Sequence, residues 1–174
     1  MSNRPILDIL RELRFASGLP ANVVTEIAAV SRVCEFRQES ILFREGAECH
    51  DLFLVEAGHV ALEMHVPARG SVRILTVGPG EMLGWSALIA EGRMTVTATA
   101  LDEVSAVAIP GPTLRVRCDT DHELGYQVMR QMASALSQRL LATRLQLLDL
   151  FAHEFSNAVP SNYTSPPVKD HAAP

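Results

Sequence analysis

Between about residue 35 and residue 110 the apolar residues recur at every second position, in short runs broken by glycine or proline. The run HVALEMHV sets Val60, Leu62, Met64 and Val66 against Ala61, Glu63 and His65, the period of a strand with one face buried. Residues 72–77 (VRILTV) and 95–100 (TVTATA) alternate in the same way, while DLFLVE and VSAVAI are short continuous apolar runs. Turn signals separate them: Gly46, Gly58, PARG at 67–70, GPG at 78–80, Gly92 and PGP at 110–112. Short strands punctuated at this spacing predict a small antiparallel sandwich or barrel.

Helical periods flank this region. In residues 5–15, Ile6, Leu10 and Leu13 fall on one helical face behind a proline suited to a first turn. A second helix is predicted over 21–33, with Val23, Ile27 and Val30 aligned. After CDTDHEL the helical period returns and runs to about residue 151. There Met129, Ala133, Leu136, Leu140, Thr143, Leu147 and Leu150 alternate steps of four and three, the seam of a two-helix coiled coil. The plain alternative for that seam is one face of a helix packed on its own barrel. Leu124, Val128, Ala135 and Ala142 form a second stripe suited to packing on the barrel. Leu141, Leu145 and Leu148 form a third, and a helix apolar all round is normally buried, so something should cover it. The last nineteen residues hold four prolines and no apolar period, which predicts disorder. The expected organisation is an N-terminal helix (1–20), a barrel domain (21–120), a long helix (121–153) and a disordered tail (154–174).

A formal charge of −5 argues against a phosphate backbone as partner of this chain alone. No run of eighteen apolar residues exists and the N-terminus is charged, so a cytoplasmic chain that does not enter a membrane is expected. Cys34, Cys49 and Cys118 are odd in number and far apart, the pattern of three reduced thiols. His59 and His65 could share a strand face with only Glu63 between them, and His50 lies in a turn, so three convergent metal ligands are not formed. No residue marks a haem site, no Ser or Cys has a recognisable activating partner, and there is no P-loop. A non-catalytic protein is expected.

The order of two helices, a barrel of short strands, a loop of small residues and a long helix resembles the cyclic-nucleotide-binding domain of the catabolite activator and fumarate–nitrate regulator superfamily. The likeness is carried by ILFREGAECHDLFLVEAGHVAL (41–62), LTVGPGEMLG (75–84), the loop on to Ala100 and RLLATRLQLLDLF (139–151), and it covers about residues 15–151. It implies a mainly β fold with flanking helices: an antiparallel double-stranded β-helix, or jelly-roll, barrel and a long C-terminal dimerisation helix. In that family backbone N–H groups at a short helix and one arginine hold a cyclic phosphate, and a glutamate after a loop glycine holds the ribose.

On this likeness GPGEMLG matches the turn before the phosphate cassette, and Gly84 is the cassette glycine. Trp85 then stands at the glutamate position and Met94 at the arginine position, with Arg93 one residue early. A hydrogen bond to a charged group is worth roughly 1.5–3 kcal/mol, so losing two such anchors would weaken a nucleotide by about two to four orders of magnitude. The indole of Trp85 is expected to occupy the ribose space. Gly84, Trp85, Ser86, Ala87, Arg93, Met94 and Thr95 are the candidate ligand residues, joined by Arg139 and by Thr143, which coincides with a family threonine that touches the base. The family's transcription factors continue into a helix-turn-helix, whereas this sequence passes into the proline-rich tail, so DNA binding by that route is not expected. The expectation is a regulatory homodimer that needs no cofactor, takes a cyclic nucleotide or another small anion, and signals to an unidentified protein partner. The alternative is a scaffold dimer whose pocket is closed by Trp85 and Met94.

Overall fold

The computed structural model describes residues 4–89 and 92–158; the side chains of residues 146, 147 and 149–158 lie outside that description, including Leu147 and Leu150 of the expected seam. Most of the expected tail, residues 159–174, also lies outside it. The chain divides into two units, Met1–Gln138 and Arg139–Pro174.

In the first unit α1 (Ile6–Glu12), a 3₁₀ turn (Ala16–Gly18) and α2 (Ala21–Ala28) precede a run of short strands. These are β1 (Arg32–Phe36), β2 (Ile41–Phe43), β3 (Asp51–Ala57), β4 (Val60–Val66), β5 (Gly70–Val77) and β6 (Met82–Leu83). The short helix α3 (Ser86–Ile89) follows, then β7 (Thr97–Ala100), β8 (Val104–Pro110), α4 (Gly111–Thr120) and α5 (His122–Ala158). Among the described residues the strands form two antiparallel sheets, ordered β1-β8-β3-β6 and β2-β7-β4-β5. This is the jelly-roll barrel.

Why β3 and β8 read as continuous apolar runs is now plain. Phe53 and Val55 on β3, with Ala106 and Ala108 on β8, face the barrel interior. Leu52, Leu54, Val107 and Ile109 face the other way, onto a helical layer. That layer is built from Ile9, Leu10 and Leu13, from Val23, Val24 and Ile27, from Leu114, and from Leu124, Val128 and Met132. A sheet buried on both faces has no polar side to alternate with.

Three elements differ from the sequence expectation. The second helix ends at Ala28, and Val33 belongs to β1, paired with Val107; its β-branched side chain gains more on that ladder than by extending a helix. Residues 111–120 form α4 where PGP predicts only a turn, because Gly111 and Leu114 are its buried residues and leave no apolar period to read. Pro112 fits a first helical turn as well as it fits a loop. Leu136, expected in the seam, is half-buried against the helical layer, one turn on from Met132. Asp121 joins α4 to α5: its carboxylate accepts the N–H groups of Glu123 and Leu124 at 3.0 and 3.1 Å and so caps the long helix.

At the other end of the barrel, Asp102 accepts the His59 N–H at 2.6 Å and lies 2.8 Å from His59 Nδ1. These bonds to His59 hold the Asp102 carboxyl below the usual carboxylate range. Its contribution to stability is therefore full above the ordinary aspartate pKa and is lost as the pH falls through the lowered value. Asp102→Asn should lower the melting temperature slightly at neutral pH and converge with the wild type in acid, measured by calorimetry across pH.

Gly111 starts α4 directly under α3, where a Cβ would stand 2.2 Å from the Ala87 carbonyl oxygen. Gly111→Ala should cost about 1–3 kcal/mol by forcing the two helices apart, seen as a lower urea midpoint with an unchanged slope.

Candidate functional site

The segment from Gly84 to Met94 is held in place by backbone groups. Gly84 has φ of +75° and is buried, and a Cβ there would lie 2.6 Å from the Asp51 carbonyl oxygen, so only glycine fits the turn into α3. The Gly84 and Trp85 carbonyls accept the N–H groups of Ala87 and Leu88 at 3.0 and 3.1 Å, forming the first turn of α3. Across from this segment, residues 46–49 are stitched to it. Gly46 N–H donates to Met94 O at 2.8 Å, Met94 N–H to Ala47 O at 2.9 Å, and Cys49 N–H to Gly92 O at 2.9 Å. Gly92 N–H in turn donates to Ser86 O at 3.3 Å. Burial at this wall pushes the Cys49 thiol above its usual pKa.

Arg115, from α4, closes the other end of α3. Its Nε donates to the Leu88 carbonyl at 3.0 Å and its Nη2 to the Ala87 carbonyl at 3.1 Å. These are carbonyls that a four-residue helix cannot satisfy within itself. Sequence reading missed this residue because the contact spans 27 positions and leaves no local pattern.

Inside the barrel the lining is apolar. Met94, 3% exposed, belongs to one cluster with Phe43, Phe53, Leu62, Leu83, Ala87 and Ala98. Phe53 stacks on Phe43 with centroids 6.3 Å apart and meets the edge of Phe36 at 6.0 Å. Among the described residues Ser86 is the buried polar one. Such an interior offers an anion no compensating charge, and a charged group moved into it without hydrogen-bond partners is strongly disfavoured.

Residues 33–121 match the profile of the cyclic nucleotide-binding domain. The chain belongs to that family. This cyclic nucleotide-binding domain is 26% identical over 144 residues to a CRP-like cAMP-activated global transcriptional regulator of Mycobacterium tuberculosis, covering 82% of the chain and 62% of that protein. The chain thus spans less than two thirds of the length of this curated relative. It is 31% identical to a candidate cyclic nucleotide-binding protein from Geobacter metallireducens GS-15, with a TM-score of 0.68 over 76% of this chain and 96% of the other. The N-terminal domain of a transcriptional regulator from Streptomyces coelicolor A3(2) is 27% identical, with a TM-score of 0.63 over 78% of this chain and 94% of the other.

Within this domain the candidate residues part company. Ala87 and Met94 line the interior, Gly84 makes the turn, and Ser86 opens α3. Trp85 does not take the position expected for it: its indole is half-buried against the helical layer. The physical reason is the left-handed turn at Gly84, after which Leu83 and Ala87 point into the barrel while Trp85 and Leu88 point out of it. Arg93 is exposed, and its Nη1 donates to the Gly46 carbonyl at 3.0 Å; Thr95 is exposed as well. Glu81, in GPGEMLG, folds back on its own turn and accepts the Gly78 N–H at 2.8 Å. Arg139 and Thr143 belong to the second unit, where the Thr143 hydroxyl donates to the Arg139 carbonyl at 2.9 Å. No group of three or more His, Cys, Asp or Glu able to hold a metal ion occurs among the described residues, and no described helix is long and apolar enough to cross a membrane.

Removing the Arg115 guanidinium leaves two α3 carbonyls without their donor. Arg115→Ala should speed hydrogen exchange at the Ile89 and Gly92 amides while the β3–β8 ladder keeps its protection, as read by mass spectrometry or NMR.

Proposed function

We propose that this cyclic nucleotide-binding domain is a non-catalytic regulatory module whose phosphate cassette has lost its charged anchors. It binds a cyclic nucleotide weakly, or takes another small ligand in its place, and passes that state to a protein partner through a dimer formed by α5. The observation that carries this reading is Met94. It stands where the family likeness places the phosphate-binding arginine, and it is buried in an apolar cluster. The neighbouring Arg93 spends its guanidinium on the Gly46 carbonyl. The dimer part of the reading is supported by the exposed apolar residues along α5. Tyr126 and Met129 lie on the open side of its first half, and Tyr126 extends the step pattern of the seam by one position.

A ligand alters the dimer only through a difference in its affinity for two arrangements of the helix, so the ratio of those affinities sets the coupling and weak binding only raises the concentration at which the ligand acts. The apolar fill around Met94 also favours a second reading, a scaffold dimer whose barrel accepts no ligand.

Trp85 is the sole tryptophan and sits beside α3, which makes its fluorescence the natural readout of cyclic AMP titration. The wild type should show no saturation below about millimolar ligand, given the lost anchors. Met94→Arg should bind at least about tenfold more tightly, one charged hydrogen bond being worth that much. Micromolar binding by the wild type would refute the lost-anchor reading.

A further inference from the structure

On the face of the β1-β8-β3 sheet that meets the helical layer, the apolar residues give way to a polar row. Val33, Val107 and Leu54 pack on the helices. Two positions further along each strand, on the same face, stand Glu35, Ser105 and Glu56. The register of β3 on β8 shifts between Val55 and Ala57 and leaves Glu56 as the extra residue of a bulge, a device that re-aims a side chain. Polar residues on a face that otherwise meets a core mark a place where local patterning has yielded to something else. Here they line a cleft of about 630 Å³ beside the C-terminal end of α1, bounded also by Arg4, Glu12 and Arg14 and by the turn at Pro79 and Gly80.

The charges of the cleft are unevenly matched. Glu56 accepts the Ser105 hydroxyl at 2.7 Å, which orients its carboxylate, and its side chain is 16% exposed. Its cation is Arg4, 3.4 Å away, and the other arm of that guanidinium is taken by Glu12 at 2.5 Å. A carboxylate withdrawn from water gains from a closer cation. Each of its oxygens makes one of these two bonds and keeps a second lone pair for an incoming donor. Arg14 is the reverse case. It lines the same cleft, and its guanidinium has no hydrogen bond or ion pair among the described residues. Its backbone is set there by Gly80, whose φ is +81° and where a Cβ would stand 3.3 Å from the Arg14 Cβ. A planar fork with both arms unused fits a carboxylate at two points.

We propose that this cleft binds a small aliphatic zwitterion of the α-amino-acid type, its ammonium on Glu56, its carboxylate on Arg14 and its side chain against Leu13, Ala57 and Pro79. A lone cation would leave Arg14 unanswered, and a lone anion would meet the charge of Glu56. The site lies on the face of the sheet away from the barrel interior, so it stands independently of the cyclic-nucleotide reading.

Isothermal titration calorimetry of the full chain tests this with L-leucine and its two halves, isocaproate without the ammonium and isoamylamine without the carboxylate. L-leucine should saturate in the millimolar range or below. Each half should bind at least about tenfold more weakly, one charged hydrogen bond being worth that much. Glu56→Gln, which keeps an acceptor for Ser105, and Arg14→Met should each weaken L-leucine by about the same factor. Circular dichroism checks that both variants are folded, and the two halves test the proposal on the wild type in any case. No saturation by L-leucine, either half binding as tightly as the whole, or an unchanged affinity in both folded variants would overturn the assignment.

Discussion

The structure depends on one sheet, β1-β8-β3-β6, being covered on both sides. Its central strands β3 and β8 carry leucine, valine and isoleucine outward onto helices and phenylalanine, valine and alanine inward to the barrel. Burial of apolar area is worth about 25 cal/mol per Å², and here the same backbone ladder collects it twice. The other sheet, β2-β7-β4-β5, shows solvent an outer face where Thr99 donates to Glu63, and it contributes to only one core. A barrel with two such unequal walls carries its helices on one side and presents a partly polar face on the other.

Much of the fold was legible in the sequence because burial on one face leaves a period. Val60, Leu62, Met64 and Val66, alternating with Ala61, Glu63 and His65, announced β4, and Leu124 and Val128 announced the inner face of α5. Where a residue's environment is set by a distant contact, the pattern carries no trace. Helix α4 buries too few side chains to show a stripe, and the bonds from Arg115 to α3 join segments remote in sequence. Trp85 teaches the same lesson about the site. Its place in the chain beside Gly84 is a matter of sequence, but which of two cores receives the ring depends on a backbone angle that only the folded turn determines. The apolar character of the site was readable at Met94; the hydrogen bond that ties the Arg93 guanidinium to the Gly46 carbonyl was not.

The site combines a well-defined loop with an interior that is apolar among the described residues. Its geometry comes from hydrogen bonds between main-chain groups of residues 46–49 and 92–94, which survive most side-chain changes. Loop shape and ligand chemistry are therefore separable here. The backbone fixes the shape of this loop, and the side chains at Ser86, Ala87 and Met94 fix what its inner surface presents.

Helix α3 is the element that belongs to two interiors at once. Ala87 projects into the barrel and Leu88 into the helical layer, with Arg115 and Gly111 pressing on its far end. Close-packed interiors tolerate little change of volume, so α3 ties the two clusters to one backbone: a larger side chain at position 87 presses on the barrel, and one at position 88 presses on the helical layer.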